Sequence, residues 1–455
     1  MRGRFPFTNK LIIMLGDIGI IIVAAYLAMV AVVGNKFSVH ADTYLQLGPL
    51  MLAVMLIIFH LHGLYSLARK RFAYVTLSLA VAVLQLLVFV MAGSFFLRYF
   101  DYSRAVLILT ACLQFLLLLP WRYLFWRLDS SHLQCMNTML VGSQAECFKI
   151  LARLDAMPHL GYKVCHVCLE WGGEQERQLA ENIDLIIICA SVDLDMKASV
   201  LQFCYLHNKQ VMLVPAVYEG CCSCVDLDKI DDIPVLKPRY LKPTLEERTV
   251  KRCVDMVIGS SALLALWPVM LAVAAAVKVS DGGPVFYKQI RVGEGGKRFN
   301  ILKFRTMIPN AEGVTGPRLA AAGDDRTTPA GRFLRATRLD ELPQLLNVLA
   351  GDMSIVGPRP ERPFFVDQFA AENPEYVYRH NVKPGITGLA QISGKYNTNV
   401  DHKLIYDLMY IQKCGLFTDL TIMIQTVRVL VTKSSTEGIA VPVRTDLTSR
   451  KLEQY

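Results

Sequence analysis

Charge is scarce in this chain. Asp, Glu, Lys and Arg make up 19% of its 455 residues, and the first 135 hold four acidic side chains. An ordinary soluble domain carries about 25% charged residues, so an ordinary soluble chain is not expected. Other absences narrow the field. No His-x₃₋₅-His pair accompanies the cysteines, and the spacings Cys165-x-x-Cys168 and Cys221, Cys222, Cys224 fit no ordinary zinc ligand set. Those thiols read as plain buried or solvent thiols. No aromatic-basic recognition motif appears, so nucleic acid is not an expected partner despite a net charge of +9. No small-residue cleavage site follows the first apolar run, so it does not read as a signal peptide.

Apolar sequence is abundant instead. Hydrophobic residues make up 53% of the chain, and the mean hydropathy is +0.36. Four runs fill the first quarter: Leu11–Val33, Leu45–Tyr65, Phe72–Leu97 and Ala105–Phe125. Each is close to the roughly 20 residues a helix needs to cross a bilayer core. Arg2, Arg4 and Lys10 precede the first run. Arg69, Lys70 and Arg71 separate the second from the third, and Arg122 and Arg127 flank the end of the fourth. Arg98 and Arg104 fit this pattern poorly. The positive-inside rule places both ends of the four-helix region in the cytoplasm. Asp17, near the cytoplasmic end of the first run, is expected to snorkel to the interface. The twelve cysteines then belong mostly to a reducing compartment, and disulfides are not expected.

Charge divides the rest. Residues 136–235 carry 7 basic and 14 acidic groups, whereas 249–455 carry 26 and 19. The acidic block alternates strand-like and helix-like stretches, from Thr138–Val141 to a buried strand at Val211–Pro215. That order predicts a Rossmann-like parallel sheet over 131–235. Its first strand is followed by Gly142-Ser143-Gln144-Ala145-Glu146, not by G-x-G-x-x-G. A dinucleotide needs glycines there, so a structural or regulatory role is expected. Pro234, Pro238 and Pro243 predict an extended linker, taken as 236–248.

The fold class is therefore membrane α plus α/β. Four transmembrane helices (1–130) precede the degenerate Rossmann-like cytoplasmic domain, the linker, and a small mixed α/β catalytic domain (249–455). That last block opens on Lys251 and Arg252 and an apolar stretch, Met256–Val277. A fifth span would carry everything after it out of the cytoplasm. Pro268 lacks an N–H and crowds the carbonyl of Leu264. A re-entrant helix over 253–278 is expected, with Lys251, Arg252 and Lys278 among lipid headgroups.

Beyond it, Lys303 and Arg305 can share one face of a strand, which suits a pyrophosphate or a solvated charged face. Leu342, Leu345, Leu346 and Leu349 recur at helical spacing. Asp340 stands where an N-cap would be, before Glu341 and Pro343. This pair reads equally as a cap with a dipole partner, or as a phosphate site in which an ionised carboxylate acts and its neighbour binds Mg²⁺. Arg335, Arg338 and Arg359 surround the pair in sequence and can stabilise phosphoryl charge. Lys403–Asp419, with Tyr406, Asp407 and Tyr410, reads as amphipathic helix without an assigned polar role.

The run LDELPQLLNVLAGDMSIVGPRP, with KFRTM before it and KPGITGLAQISGK after it, resembles the bacterial sugar transferase family, the monotopic phosphoglycosyl transferases. The resemblance covers 249–455. The preceding helices and sheet resemble the long form, which includes undecaprenyl-phosphate glucose and galactose phosphotransferases. It implies transfer of a sugar 1-phosphate from a UDP-sugar to polyprenyl phosphate, releasing UMP, to begin exopolysaccharide, capsule or O-antigen assembly. By the same resemblance Asp340 is the nucleophile and Glu341 the Mg²⁺-linked partner. Lys303, Arg335 and Arg359 lie near the phosphates, and Lys251, Arg252 and Pro268 belong to the re-entrant membrane helix. Inner-membrane lipids, a homo-oligomer and downstream glycosyltransferases are the further partners considered. Two rivals remain: a membrane-anchored nucleotide-sugar dehydratase, which lacks its glycine fingerprint here, and a non-enzymatic scaffold for polysaccharide assembly.

Overall fold

The computed structural model describes residues 7–34, 37–67, 69–96, 103–131, 135–222, 224–230, 232–308, 326–394 and 398–431. Arg2, Arg4 and Arg98 of the topology reading, and residues 432–455 of the expected catalytic domain, lie outside these. The chain forms two compact units, one closing at Val214 and the other opening at Pro215.

The first unit begins with four apolar helices: α1 (Phe7–Val33), α2 (Phe37–Leu61), α3 (Phe72–Phe96) and α4 (Arg104–Ser131). In α1, α3 and α4 the apolar stretch is long enough to cross a membrane, and in α2 its described part is Gly48–Leu61. Met55, Phe59, Leu79 and Leu118 fill the bundle core, while Leu15, Ile22, Val88 and Leu116 face outward. Helices that are apolar all round belong in lipid.

Asp17 does not snorkel. It is fully buried, and Arg122 donates to its Oδ2 at 2.5 Å and to the carbonyl of Leu64 at 3.0 Å. A cation 105 residues away supplies what the interface was expected to supply. In the α2–α3 loop, Arg69 donates to the hydroxyl of Tyr162 and to Sδ of Met136, and lies 4.3 Å over the Tyr162 ring. The basic loop thus meets the sheet that follows α4.

That sheet is built from β1 (Met136–Val141), α5 (Gln144–Asp155), β2 (Tyr162–Cys168), α6 (Glu174–Glu181), β3 (Leu185–Ile188), α7 (Leu194–Leu206) and β4 (Gln210–Leu213). All its pairings are parallel, in the order β2-β1-β3-β4. Every residue of β3 is buried, as a central parallel strand requires. The strand expected to be buried at Val211–Pro215 is instead the edge strand β4, and most of its side chains are exposed. The start of α5 is tied to the connection after β3. Ser143 N donates to Ser191 Oγ at 3.0 Å, and Ser191 N donates to the Glu146 carboxylate at 3.1 Å.

The second unit runs through α8 (Val217–Cys221), the antiparallel pair β5 (Val225–Ile230) and β6 (Ile233–Pro238), and the long α9 (Leu245–Asp281). The first residues of the expected linker are therefore strand. A second hairpin, β7 (Phe286–Val292) and β8 (Arg298–Phe304), precedes α10 (Pro329–Thr337) and α11 (Gln344–Ala350). Then come β9 (Ser354–Val356), α12 (Pro363–Glu372), β10 (Gly385–Thr387), α13 (Leu389–Ser393), α14 (Val400–Gln412) and α15 (Leu416–Val431). Leu404, Leu408, Tyr410, Ile411 and Ile422 form the core under β9.

Thr244 and Glu247 cap α9 reciprocally, and Gly282 (φ +69) ends it. The helix has 37 residues, and Pro268 lies within it. One lost backbone bond leaves the flanking turns able to hold. Lys251 and Arg252 do not face headgroups. Lys251 donates to Asp419 Oδ2 at 2.5 Å and to the Tyr410 hydroxyl at 3.0 Å. Arg252 donates to the carbonyls of Val348 and Leu349 at 2.6 and 2.9 Å, capping α11. Free helix-end carbonyls and a buried carboxylate attract these cations more than solvent-exposed lipid would. Asp255 accepts from Ser354 Oγ and Ile355 N at 3.1 and 3.0 Å. At the other end of α9, Val273 and Val277 pack with Phe304 and Leu334. Both ends rest on one body, while Val257, Leu264, Trp267 and Leu271 point outward.

Candidate active site

The site begins with β8. Asn347 on α11 fixes this strand: Leu302 N donates to Asn347 Oδ1 at 3.0 Å, and Asn347 Nδ2 donates to the Asn300 carbonyl at 2.8 Å. Ile301 packs with Val348 and Met353, and Phe304 packs with Val273, Val277 and Leu334; alternation puts these two on opposite faces, with Lys303 on the side of Ile301. Arg305 does not join it. The strand ends at Phe304, so alternation stops, and the Arg305 guanidinium turns against Gly283, where a Cβ would collide with it.

α10 ends at Arg338, which adopts a left-handed conformation (φ +56). The chain then makes a 3₁₀ turn, Leu339–Glu341, before α11 begins at Gln344. Asp340 is therefore not an N-cap, since Pro343 occupies that position. The left-handed residue breaks the helical path two residues before Asp340, a common way to end a helix. Arg338 thus bears on the site through its backbone.

The turn presents two carboxylates in unlike surroundings. Glu341 Oε1 accepts from Lys303 Nζ at 2.8 Å and from Arg359 Nη2 at 2.6 Å. Burial alone would raise its pKa, but Arg359 and Lys303 outweigh burial and hold it well below the usual carboxylate range. Among the described residues, no hydrogen bond or ion pair reaches the Asp340 carboxylate. Burial and the neighbouring Glu341 charge push it up to about 6, against the longer-range pull of Lys303, Arg335 and Arg359. Burial also pulls the Lys303 ammonium down, against Glu341. Arg335 is aimed by Thr306, whose Oγ1 accepts from its Nε at 2.9 Å. Gly331 lets α10 approach the Thr306 carbonyl closely enough for this. The structure thus brings Lys303, Arg335 and Arg359 around the acid pair, and leaves Arg305 and the Arg338 side chain out of it.

Arg359 lies on the loop after β9. Gly357 N donates to the Thr387 carbonyl at 2.8 Å, and Gly385 N donates to the Pro358 carbonyl at 2.9 Å. A Cβ on Gly357 or on Gly385 would strike the other segment's backbone. The Lys383-Pro384-Gly385 stretch, without a role in the sequence reading, is the backing of the Arg359 loop. No regular spacing announces Thr306 or Asn347, because each acts across a turn of the fold.

A family model described as bacterial sugar transferase matches residues 246–433, which include all of these groups. A UDP-glucose:undecaprenyl-phosphate glucose-1-phosphate transferase of Caulobacter vibrioides is 42% identical over 216 residues, covering 46% of this chain and 79% of that protein. The chain belongs to the bacterial sugar transferase family. A UDP-N-acetylgalactosamine-undecaprenyl-phosphate N-acetylgalactosaminephosphotransferase of Aeromonas hydrophila is 37% identical to this sugar transferase over 274 residues, or 59% of this chain and 64% of that protein. An Escherichia coli protein with the same name as the Caulobacter one is 40% identical over 225 residues, 48% of each chain. The sugar transferase described here thus spans less than two thirds of the Aeromonas protein and about half of the Escherichia coli one.

Among the described residues, no third carboxylate, histidine or cysteine joins Asp340 and Glu341 in a metal-binding group. The pair still fits Mg²⁺, which takes one or two carboxylates together with phosphate oxygens and water. The like charge that raises Asp340 is what a divalent cation would relieve.

Proposed function

We propose that this protein transfers a hexose 1-phosphate from a UDP-sugar to a polyprenyl phosphate such as undecaprenyl phosphate, releasing UMP. The observation that carries this reading is the asymmetry of the two neighbouring acids: Glu341 is neutralised by Lys303 and Arg359, whereas Asp340 has no bonded partner among the described residues. A carboxylate held free beside cations suits nucleophilic attack on phosphorus. An Asp340 oxygen bonds to the phosphorus that bears the sugar, and the bond from that phosphorus to the UMP oxygen breaks. A phosphate oxygen of the polyprenyl carrier then attacks the same phosphorus, and the Asp340–phosphorus bond breaks. Lys303, Arg335 and Arg359 stabilise charge on the phosphoryl oxygens in both steps. Asp340 and Glu341 would hold Mg²⁺, which supplies charge neutralisation on the diphosphate. Taking the two anionic substrates in turn spares one small site from holding both.

Position supports the same reading. Both ends of α9 pack on one body, so the helix is read as monotopic: it enters and leaves one leaflet, with its outward residues in lipid. With the positive-inside pattern, this supports a site at the cytoplasmic face of the bacterial inner membrane. The parallel sheet of the first unit is read as a Rossmann-like domain without a dinucleotide fingerprint. Relatives named for glucose and for N-acetylgalactosamine leave hexoses of both kinds as candidates.

The test is UMP release from a panel of UDP-sugars by the full chain in native membranes, with and without polyprenyl phosphate and Mg²⁺. Release from one UDP-sugar, abolished by Asp340→Asn, is expected. Near-full transfer by that variant would end the covalent reading. Absence of UMP with every donor would leave a scaffold as the better account.

A further inference from the structure

Arg359 presents a puzzle of aim. Its side chain is 37% exposed, and it sits on a loop without regular structure, yet it donates to Glu341 at 2.6 Å. The loop backbone supplies the answer. Four consecutive carbonyls are each bonded. Pro358 O accepts from Gly385 N at 2.9 Å, and Glu361 O accepts from Val292 N at 3.0 Å. Between them, Arg359 O accepts from Arg379 Nη2 at 2.8 Å, and Pro360 O accepts from Arg291 Nη1 at 3.1 Å.

Arg379 differs from Arg291 in being deeply set. It is buried, and the same Nη2 that holds the Arg359 carbonyl meets Asp407 Oδ2 at 2.9 Å. Its Nη1 donates to the hydroxyl of Tyr376, and its guanidinium lies 4.9 Å over that ring. Asp407 projects from α14 and is itself buried. A buried guanidinium with a buried counter-charge and both nitrogens engaged is fixed in place. Asp407 offsets its charge locally, so it is poorly suited to take a substrate anion.

We infer that Arg379 and Asp407 are a positioning pair: they hold the Arg359 carbonyl, and so aim its guanidinium at Glu341 and at the donor diphosphate. The pair acts through Arg359 and touches no reacting atom. The inference rests on the proposed transferase reading for its kinetic arm only.

The experiment compares Arg379→Lys, Arg359→Lys and the double variant in the full chain in nanodiscs. Lysine at 379 keeps the charge facing Asp407 but cannot also reach the carbonyl and Tyr376. In UMP release, Arg379→Lys should lower kcat/KM by about tenfold, and the double variant should be no worse than Arg359→Lys alone, because groups acting as a unit are non-additive. Effects that multiply would overturn the inference. Hydrogen exchange supplies an arm that needs no turnover. The amides of Gly357, Arg359, Glu361 and Arg362 should exchange faster in Arg379→Lys, while those of α11 stay unchanged. Unchanged exchange in 357–362, or faster exchange throughout the unit, would overturn the inference as well. If wild type releases no UMP, the functional reading fails, and the exchange arm still decides the positioning role.

Discussion

Replacing Asp340 with Asn should make the protein more stable while disabling it. The Asp340 carboxyl stands at about 6 in the fold, against an ordinary 3.8, chiefly because burial opposes its charge. A folded-state value above the unfolded one means that stability is lost as pH rises from about 4 to 6, and stays lost above that. At about 1.36 kcal/mol per pH unit, the penalty at pH 8 is on the order of 3 kcal/mol. Asn keeps the shape and removes the charge. At about 2–4 °C per kcal/mol for a unit of this size, the melting temperature should rise by as much as about 6–12 °C at pH 8. At pH 4.5 wild-type Asp340 is largely protonated when folded, so the gain should shrink to about 1 kcal/mol. Glu341 has the opposite sign. Its value is depressed, so its contribution is present above the ordinary carboxylate range and lost only in strong acid. Glu341→Gln should therefore destabilise by on the order of 1–3 kcal/mol at pH 8, because Lys303 and Arg359 lose a charged acceptor. The assay is thermal unfolding of the full chain in nanodiscs with EDTA present, at the two pH values. A lower melting temperature for Asp340→Asn at pH 8, or an equal gain at both pH values, would refute the argument.

Three further outcomes follow from the geometry. Asp17→Leu or Arg122→Leu alone should cost about 3–5 kcal/mol by leaving a buried charge unpaired, whereas the double variant should recover most of that; folded yield in membranes distinguishes the cases. Gly357→Ala should push β9 from β10, cost about 2–3 kcal/mol and abolish UMP release, since Arg359 lies two residues on. Asp255→Ala removes the acceptor for Ser354 Oγ and Ile355 N. It should loosen α9 from β9 by about 1–3 kcal/mol, seen as faster proteolysis near residue 355.

What the sequence disclosed depended on range. The apolar runs and the alternating strand-helix order are local signals, and they became α1–α4 and the parallel sheet. Asp340 and Glu341 stood out because a motif surrounds them, and their cations Lys303 and Arg359 lie only 38 and 18 residues from Glu341. The misreadings share one cause. Asp17 was assigned water because its partner, Arg122, is 105 residues away. Lys251 and Arg252 were assigned headgroups because nothing nearby in sequence shows the α11 carbonyls or Asp419. Arg305 was paired with Lys303 by a strand rule that lapses where β8 ends at Phe304. Residue type puts Asp340 at an N-cap position, because the left-handed turn at Arg338 leaves no mark in it.

The packing of α9 constrains how the protein can be handled in the laboratory. Deleting a membrane helix is the usual route to a water-soluble fragment, but here Val273 and Val277 are part of the core beneath Phe304 and Leu334. Excision would open that core and remove Arg252 and Asp255 from their partners. A detergent-free version is better sought by keeping the helix and repainting its outward stripe, Val257, Leu264, Trp267 and Leu271, with polar residues.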